Sequence, residues 1–127
     1  MIKKILLTFS ILTLLNVSSY SAGTSSDSSS KVKSDYDKAV KLIESAKKYE
    51  KKDKKEKAKK RYEKAQKLLL ASNSKKPNEA DTLNYLGFTT RKLGDYKGGE
   101  MYYLQGLQIQ PNHVGICLLY TSDAADE

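Results

Sequence analysis

Two Pro-Asn pairs, Pro77-Asn78 and Pro111-Asn112, punctuate this chain. Proline stops a helix and asparagine suits a helix start, so each pair marks a boundary between helical segments. Between the pairs, Leu83, Leu86, Gly87 and Thr90 fall on one helical face. Arg91 and Lys92 then bring positive charge to a last turn, where it suits the helix dipole. Gly94 is placed for the left-handed residue that ends a helix, and Asp95 for the cap of the next. That second helix sets Gly99, Tyr103, Gly106 and Leu107 on a shared face and ends before Pro111. The pattern predicts a helical hairpin whose glycines let the two helices approach closely. Glycine within a helix costs roughly 0.5–1 kcal/mol against alanine, so Gly98, Gly99 and Gly106 make the second helix soft until neighbours pack on it.

The stretch 80–111 carries these marks in the order of the tetratricopeptide repeat, and the step from Pro77 to Pro111 equals the period of that repeat. Leu83 is followed one helical turn later by Leu86-Gly87, then by the turn Gly94-Asp95-Tyr96, then by Gly99, Tyr103, Gly106 and Pro111. The chain resembles that family closely over this one repeat, although the family more often has alanine at positions 98, 99 and 106. The resemblance implies an all-α fold of antiparallel helical hairpins in an α-solenoid, binding other proteins rather than doing chemistry.

A weaker copy lies upstream, at 34–77. Ala39, Leu42, Ala46 and Tyr49 make one helical stripe, and Ala58, Tyr62, Ala65 and Leu69 make another. Tyr49, Ala58, Tyr62 and Ala65 keep the family's offsets of 9, 4 and 3. The second stripe runs on through Leu68-Leu69-Leu70-Ala71, and the proline arrives late, at Pro77. The expected unit is an elongated repeat, or a hairpin that caps the array, with a connection over 72–76. About three repeats are usually needed for a stable array, so two units imply a marginal fragment.

The segment 1–21 reads as an export signal. Met1-Ile2-Lys3-Lys4 is a short positive region, 5–17 is an apolar stretch, and Ser19-Tyr20-Ser21 before Ala22 fits small-x-small cleavage. A membrane span needs about 20 residues, so no stable span is expected after cleavage. With no cysteine near that point, a lipoprotein anchor is set aside. The protein is expected to be exported, periplasmic or secreted. The segment 22–33, rich in serine, has almost nothing to bury and is expected to form a disordered linker.

At the other end, 112–116 begin what should be a further repeat, and the helical pattern is expected to break after Ile116. The stretch 117–127 resembles the in-frame translation of a transposase-end adapter used in DNA library preparation. The single cysteine, Cys117, falls in this stretch, which leaves the rest of the chain without one.

The formal net charge of +8 is concentrated upstream: 31–76 hold 18 basic and 7 acidic residues, whereas 79–116 hold 3 and 4. The dense basic run from Lys47 to Arg61 is interleaved with Glu44, Glu50, Asp53, Glu56 and Glu63, so i,i+4 pairing on a solvated face is one reading. Attraction to an anionic envelope surface or an acidic partner is another. Nucleic acid is set aside, because an exported protein rarely meets it. The sequence offers no metal-ligand spacing, phosphate loop or nucleophile motif, and His113 is its only histidine. No catalytic, cofactor-binding or metal-binding residue is expected, and no cofactor.

Carried over from the family, the partner groove would be lined by Asp81, Asn84, Phe88, Arg91 and Lys92, with Val40, Ile43, Lys47, Glu50 and Lys51 from the weaker unit. Phe88 lies off the packing stripe; it is either a peptide anchor or a packing residue for the next repeat. The expected function is that of a non-enzymatic interaction module of the bacterial cell envelope, with an unidentified protein or peptide partner. The alternatives are a basic envelope protein that binds anionic polymer or a membrane surface, and the N-terminal part of a larger protein. Amplification of the locus from source DNA is expected to give a sequence that departs from this one at or very near Cys117. Recovery of 117–127 in the natural frame would overturn the adapter reading.

Overall fold

The computed structural model describes residues 34–125, which form five α-helices: α1 (Asp35–Glu50), α2 (Lys55–Lys75), α3 (Ala80–Lys92), α4 (Tyr96–Ile109) and α5 (Val114–Ala125). The described residues contain no strand, and the fold class is all-α. The expected export signal (1–21) and linker (22–33) lie outside the described residues.

Ser34 starts α1 with a reciprocal cap: its hydroxyl accepts the Asp37 amide, and the Asp37 carboxylate accepts the Ser34 amide, each at 3.1 Å. Such a cap stabilises a helix by about 1 kcal/mol. Asp53, at φ +52°, turns the chain into α2. The two helices run antiparallel, because Lys75 at the end of α2 reaches Asp35 at the start of α1, with Nζ 2.6 Å from the carboxylate. Lys75, with Lys38 adding to it, holds the Asp35 carboxyl below the usual carboxylate range. Between them lie Ala39, Ile43 and Ala46 from α1 and Ala58, Tyr62, Ala65 and Leu69 from α2, all buried. Ile43 therefore belongs to the core and not to a groove, while Leu42 and Tyr49 are only partly buried. Helix α2 runs through most of the connection expected over 72–76 and ends at Lys75, because nothing before Pro77 forces a stop.

Pro77 is exposed, and Asn78 takes a left-handed conformation at φ +63°. It does not cap α3. The N-cap is Glu79, without a side-chain cap bond, and Asn78 instead uses the tolerance of asparagine for the left-handed region to turn the chain. At the far end Gly94 has φ +97°, and the Asp95 side chain accepts the Gly98 amide at 2.9 Å, so this turn forms as its residues require.

Helices α3 and α4 meet at glycine. A Cβ at Gly87 would sit 2.5 Å from the Tyr103 ring, and one at Gly99 would sit 2.8 Å from the Gly87 carbonyl oxygen. Tyr103 is fully buried against this crossing. Gly106 leaves the space that Ile116 of α5 and Leu83 of α3 occupy. Helix α3 packs on α2 and α4, and α5 packs on α3 and α4; α1 makes a smaller contact with α3. With neighbours on both flanks, α3 buries Ala80, Thr82, Leu83, Asn84, Leu86, Gly87, Phe88, Thr89, Thr90 and Arg91.

The helical pattern does not break after Ile116. Helix α5 continues to Ala125, with Ile116 buried and Leu119 and Tyr120 partly buried against the core, an i, i+3, i+4 stripe. Tyr120 stands edge-on to Tyr103, with ring centroids 5.9 Å apart, and donates its hydroxyl to Glu100.

Gly87→Ala tests the crossing. Alanine is the better helix former by about 1 kcal/mol. The added methyl must nevertheless push Tyr103 or the backbone of α4 aside, an overpacking cost of about 1–3 kcal/mol. Thermal unfolding followed by circular dichroism is expected to show a lower midpoint for the variant, and a higher midpoint would refute the close approach.

Candidate functional site

The residues expected to share one groove are divided among three places. Phe88 is 4% exposed and sits in the core toward the first hairpin, edge-on to Tyr62 with centroids 5.8 Å apart. It is not an exposed peptide anchor. Asn84 is buried at the α3–α5 seam, where a Cβ on Gly115 would approach its amide nitrogen to 2.9 Å. Arg91 is 9% exposed and turns to α4: its aliphatic stem lies over Gly99, and its guanidinium carbon stands 5.0 Å from the Tyr96 ring centroid. The cause is common to all three. A helix covered on both flanks has little free face, and α3 is such a helix.

Two of the expected groove residues do meet in the open. Lys47 of α1 and Lys92 of α3 are both exposed, and their ammonium groups stand 4.6 and 5.7 Å from the Phe88 ring centroid. Each cation gains from the electron-rich face of the ring, by about 0.5–1 kcal/mol at an exposed site. Glu50 anchors the place. It pairs with Lys92 at 3.4 Å and accepts the Tyr62 hydroxyl at 2.9 Å, so one carboxylate joins α1, α2 and α3. Burial, then this hydrogen bond, raises the Tyr62 hydroxyl well above its ordinary value and keeps it a donor. Lys51, one turn beyond Lys47, is exposed as well.

The opposite end of the α1–α3 face is aromatic and acidic. Tyr36 and Tyr85 stand edge-on, 5.9 Å apart between centroids. Burial, followed by the Asp81 carboxylate, pushes the Tyr36 hydroxyl up to about 12, and burial with Asp81 and Glu44 raises Tyr85. The sequence reading missed both tyrosines as site residues. Their signal was their position, because neither belongs to a packing stripe and each is too large to leave without a neighbour.

His113 stands immediately before α5. Its Nδ1 accepts the Ile116 amide at 3.0 Å, which places the proton on Nε2, and Nε2–H then donates to Asp81 at 2.8 Å. The histidine thus caps one helix and ties it to another. Leu83, Leu86, Gly87, Gly99, Tyr103 and Gly106 are buried, as packing residues must be, while Pro111 is exposed. Among the described residues no group of three or more His, Cys, Asp or Glu is placed to hold a metal ion, and no helix is long and apolar enough to cross a membrane.

No family model, curated protein or solved structure matches this chain.

Phe88→Ala is expected to act on stability. Loss of a buried phenyl ring costs about 3–5 kcal/mol, enough to unfold a small domain or shift its urea midpoint strongly. Lys47→Ala removes only a cation at the surface of that ring and should cost about 1 kcal/mol or less. Equal urea midpoints for Phe88→Ala and the parent would show that the ring is not part of the core.

Proposed function

We infer that this protein is a non-enzymatic interaction module of the bacterial cell envelope, exported and built on hairpins of the tetratricopeptide type. Its α1–α3 face takes a protein or peptide partner. One observation carries the reading: Lys47 and Lys92, from consecutive hairpins, converge above the buried Phe88 ring. A fixed aromatic floor under two exposed cations holds those charges in place without a large ordering cost when a partner arrives. With Glu50 engaging Lys92, Lys47 and Lys51 are left facing solvent, and Tyr36, Tyr85 and Asp81 offer aromatic edges and a carboxylate at the other end. A partner segment that lies along this face meets positive charge first and an acidic, aromatic surface second, which fixes its direction. The support for export is the positive, apolar, small-residue order of the segment 1–21.

Selection of displayed peptides on the full chain tests the reading. Ligands are expected to carry acidic residues at one end, and their binding should fall at least about tenfold when Lys47 and Lys92 are both replaced by alanine, the scale of losing two interfacial charge contacts. Undiminished binding to that double variant would remove the α1–α3 face as the site.

A further inference from the structure

The outer side of α2 carries a second, separate surface. Its apolar stripe, Ala58, Tyr62, Ala65 and Leu69, is already buried. On the far side Lys57, Lys60, Lys64 and Lys67 follow one another at helical steps of three and four, all exposed. They form one ridge, about 15 Å long at the helical rise, with a cation roughly every 4.5–6 Å. Among the described residues no carboxylate lies within 4.0 Å of any of the four lysines. The i,i+4 pairs that the sequence makes possible there, Glu56 with Lys60 and Glu63 with Lys67, are not formed among the described residues. The described ion pairs instead involve Asp35, Asp53 and Glu50. Beside the ridge is a recess of about 270 Å³ lined by Tyr49, Lys57, Lys60, Arg61 and Lys64, four cations and one tyrosine with no acid. Arg61 lies over the Tyr49 ring at 5.9 Å, and this contact holds the guanidinium at the recess.

We propose that this ridge and recess bind a linear, phosphate-bearing polyanion, which runs along Lys57, Lys60, Lys64 and Lys67 and seats one anionic group in the Arg61 recess. Like charges at these spacings oppose the helix, Glu56 and Glu63 one turn before Lys60 and Lys67 offset part of that, and a polyanion that interleaves with the lysines relieves the rest. Insertion into a lipid surface fits less well, because a helix that lies in a membrane interface needs a free apolar face, and of the large apolar residues of α2 only Leu70 is exposed. A single-stranded nucleic acid fits less well too, because the one aromatic ring of the recess is covered by Arg61 and offers no row of platforms for stacked bases. This surface is separate from the α1–α3 face, so either can fail without the other.

Binding of long-chain inorganic polyphosphate to the full chain, measured over a range of salt concentrations, tests the proposal. The variant with all four ridge lysines replaced by glutamine is expected to lose at least about tenfold in affinity at physiological salt, and its salt dependence should be shallower by about 3 in log–log slope. Replacement of the same four by arginine should restore binding, and Arg61→Gln alone should weaken it. A control with equal charge removed elsewhere, Lys41, Lys48, Lys76 and Lys97 to glutamine, should lose far less. Glutamine is as good a helix former as lysine, so circular dichroism should show both variants folded. The proposal is overturned by any of four results: no binding by the parent chain, equal loss in the control, tighter ridge-dependent binding to phosphatidylglycerol vesicles, or tighter binding to a single-stranded oligonucleotide of matched charge.

Discussion

The absence of side chains at Gly87 and Gly99 fixes how near α3 and α4 can lie, and most of the packing downstream follows from that distance. With the helices close, the Tyr103 ring lies against the backbone of α3 and is fully buried. Gly106 continues the same opening and admits Ile116, which seats α5. Tyr120 then closes over Tyr103 edge to face. The first hairpin solves the same problem with alanine: Ala39, Ala46, Ala58 and Ala65 set its spacing, and Tyr62 fills the gap toward Phe88. Alanine keeps most of the helix propensity that glycine gives up, so the second hairpin relies more on its neighbours than the first does.

Much of this was legible in the residues themselves. Helical stripes, the Gly94-Asp95 turn and the inward-facing tyrosines each depend on local spacing, and local spacing is what a sequence displays. The errors arose where a neighbour decided the outcome. Phe88 and Arg91 look free on a single helix and become buried only because α3 is covered on two sides. Asn78 has the chemistry of a cap, yet the chain needed a left-handed residue there more. Helix α5 carries its stripe past Ile116, through Leu119 and Tyr120, which pack partly buried against the core beyond the point where the pattern was expected to break. Of the candidate site, Lys47 and Lys92 were visible; the tyrosine pair and the role of Glu50 were not, since those depend on which helices meet.

The charges divide by depth and by helix. Ion pairs at Asp35–Lys75 and Glu50–Lys92, and the His113–Asp81 hydrogen bond, fall where helices meet, and there they tie separate elements together. The lysines on the outer side of α2 tie nothing together within the described chain. They keep that face in water and lend it a directional field whose reach is set by salt, about 8 Å at physiological strength.

The position of α3 has a further consequence. Of the described helices, α1 and α2 approach no part of α4 or α5; every backbone contact between the two groups passes through α3. A disturbance at one end of the described unit therefore reaches the other through α3 and through the hydrogen bond that Gln105 of α4 donates to Asn78 in the turn before α3. Displacement of α3 at its Lys92 end would bear on the contact of Gly87 with Tyr103 and, through Asp81, on His113 before α5. The helix that holds the two halves together is thus also the element through which a shift in the packing of one reaches the packing of the other.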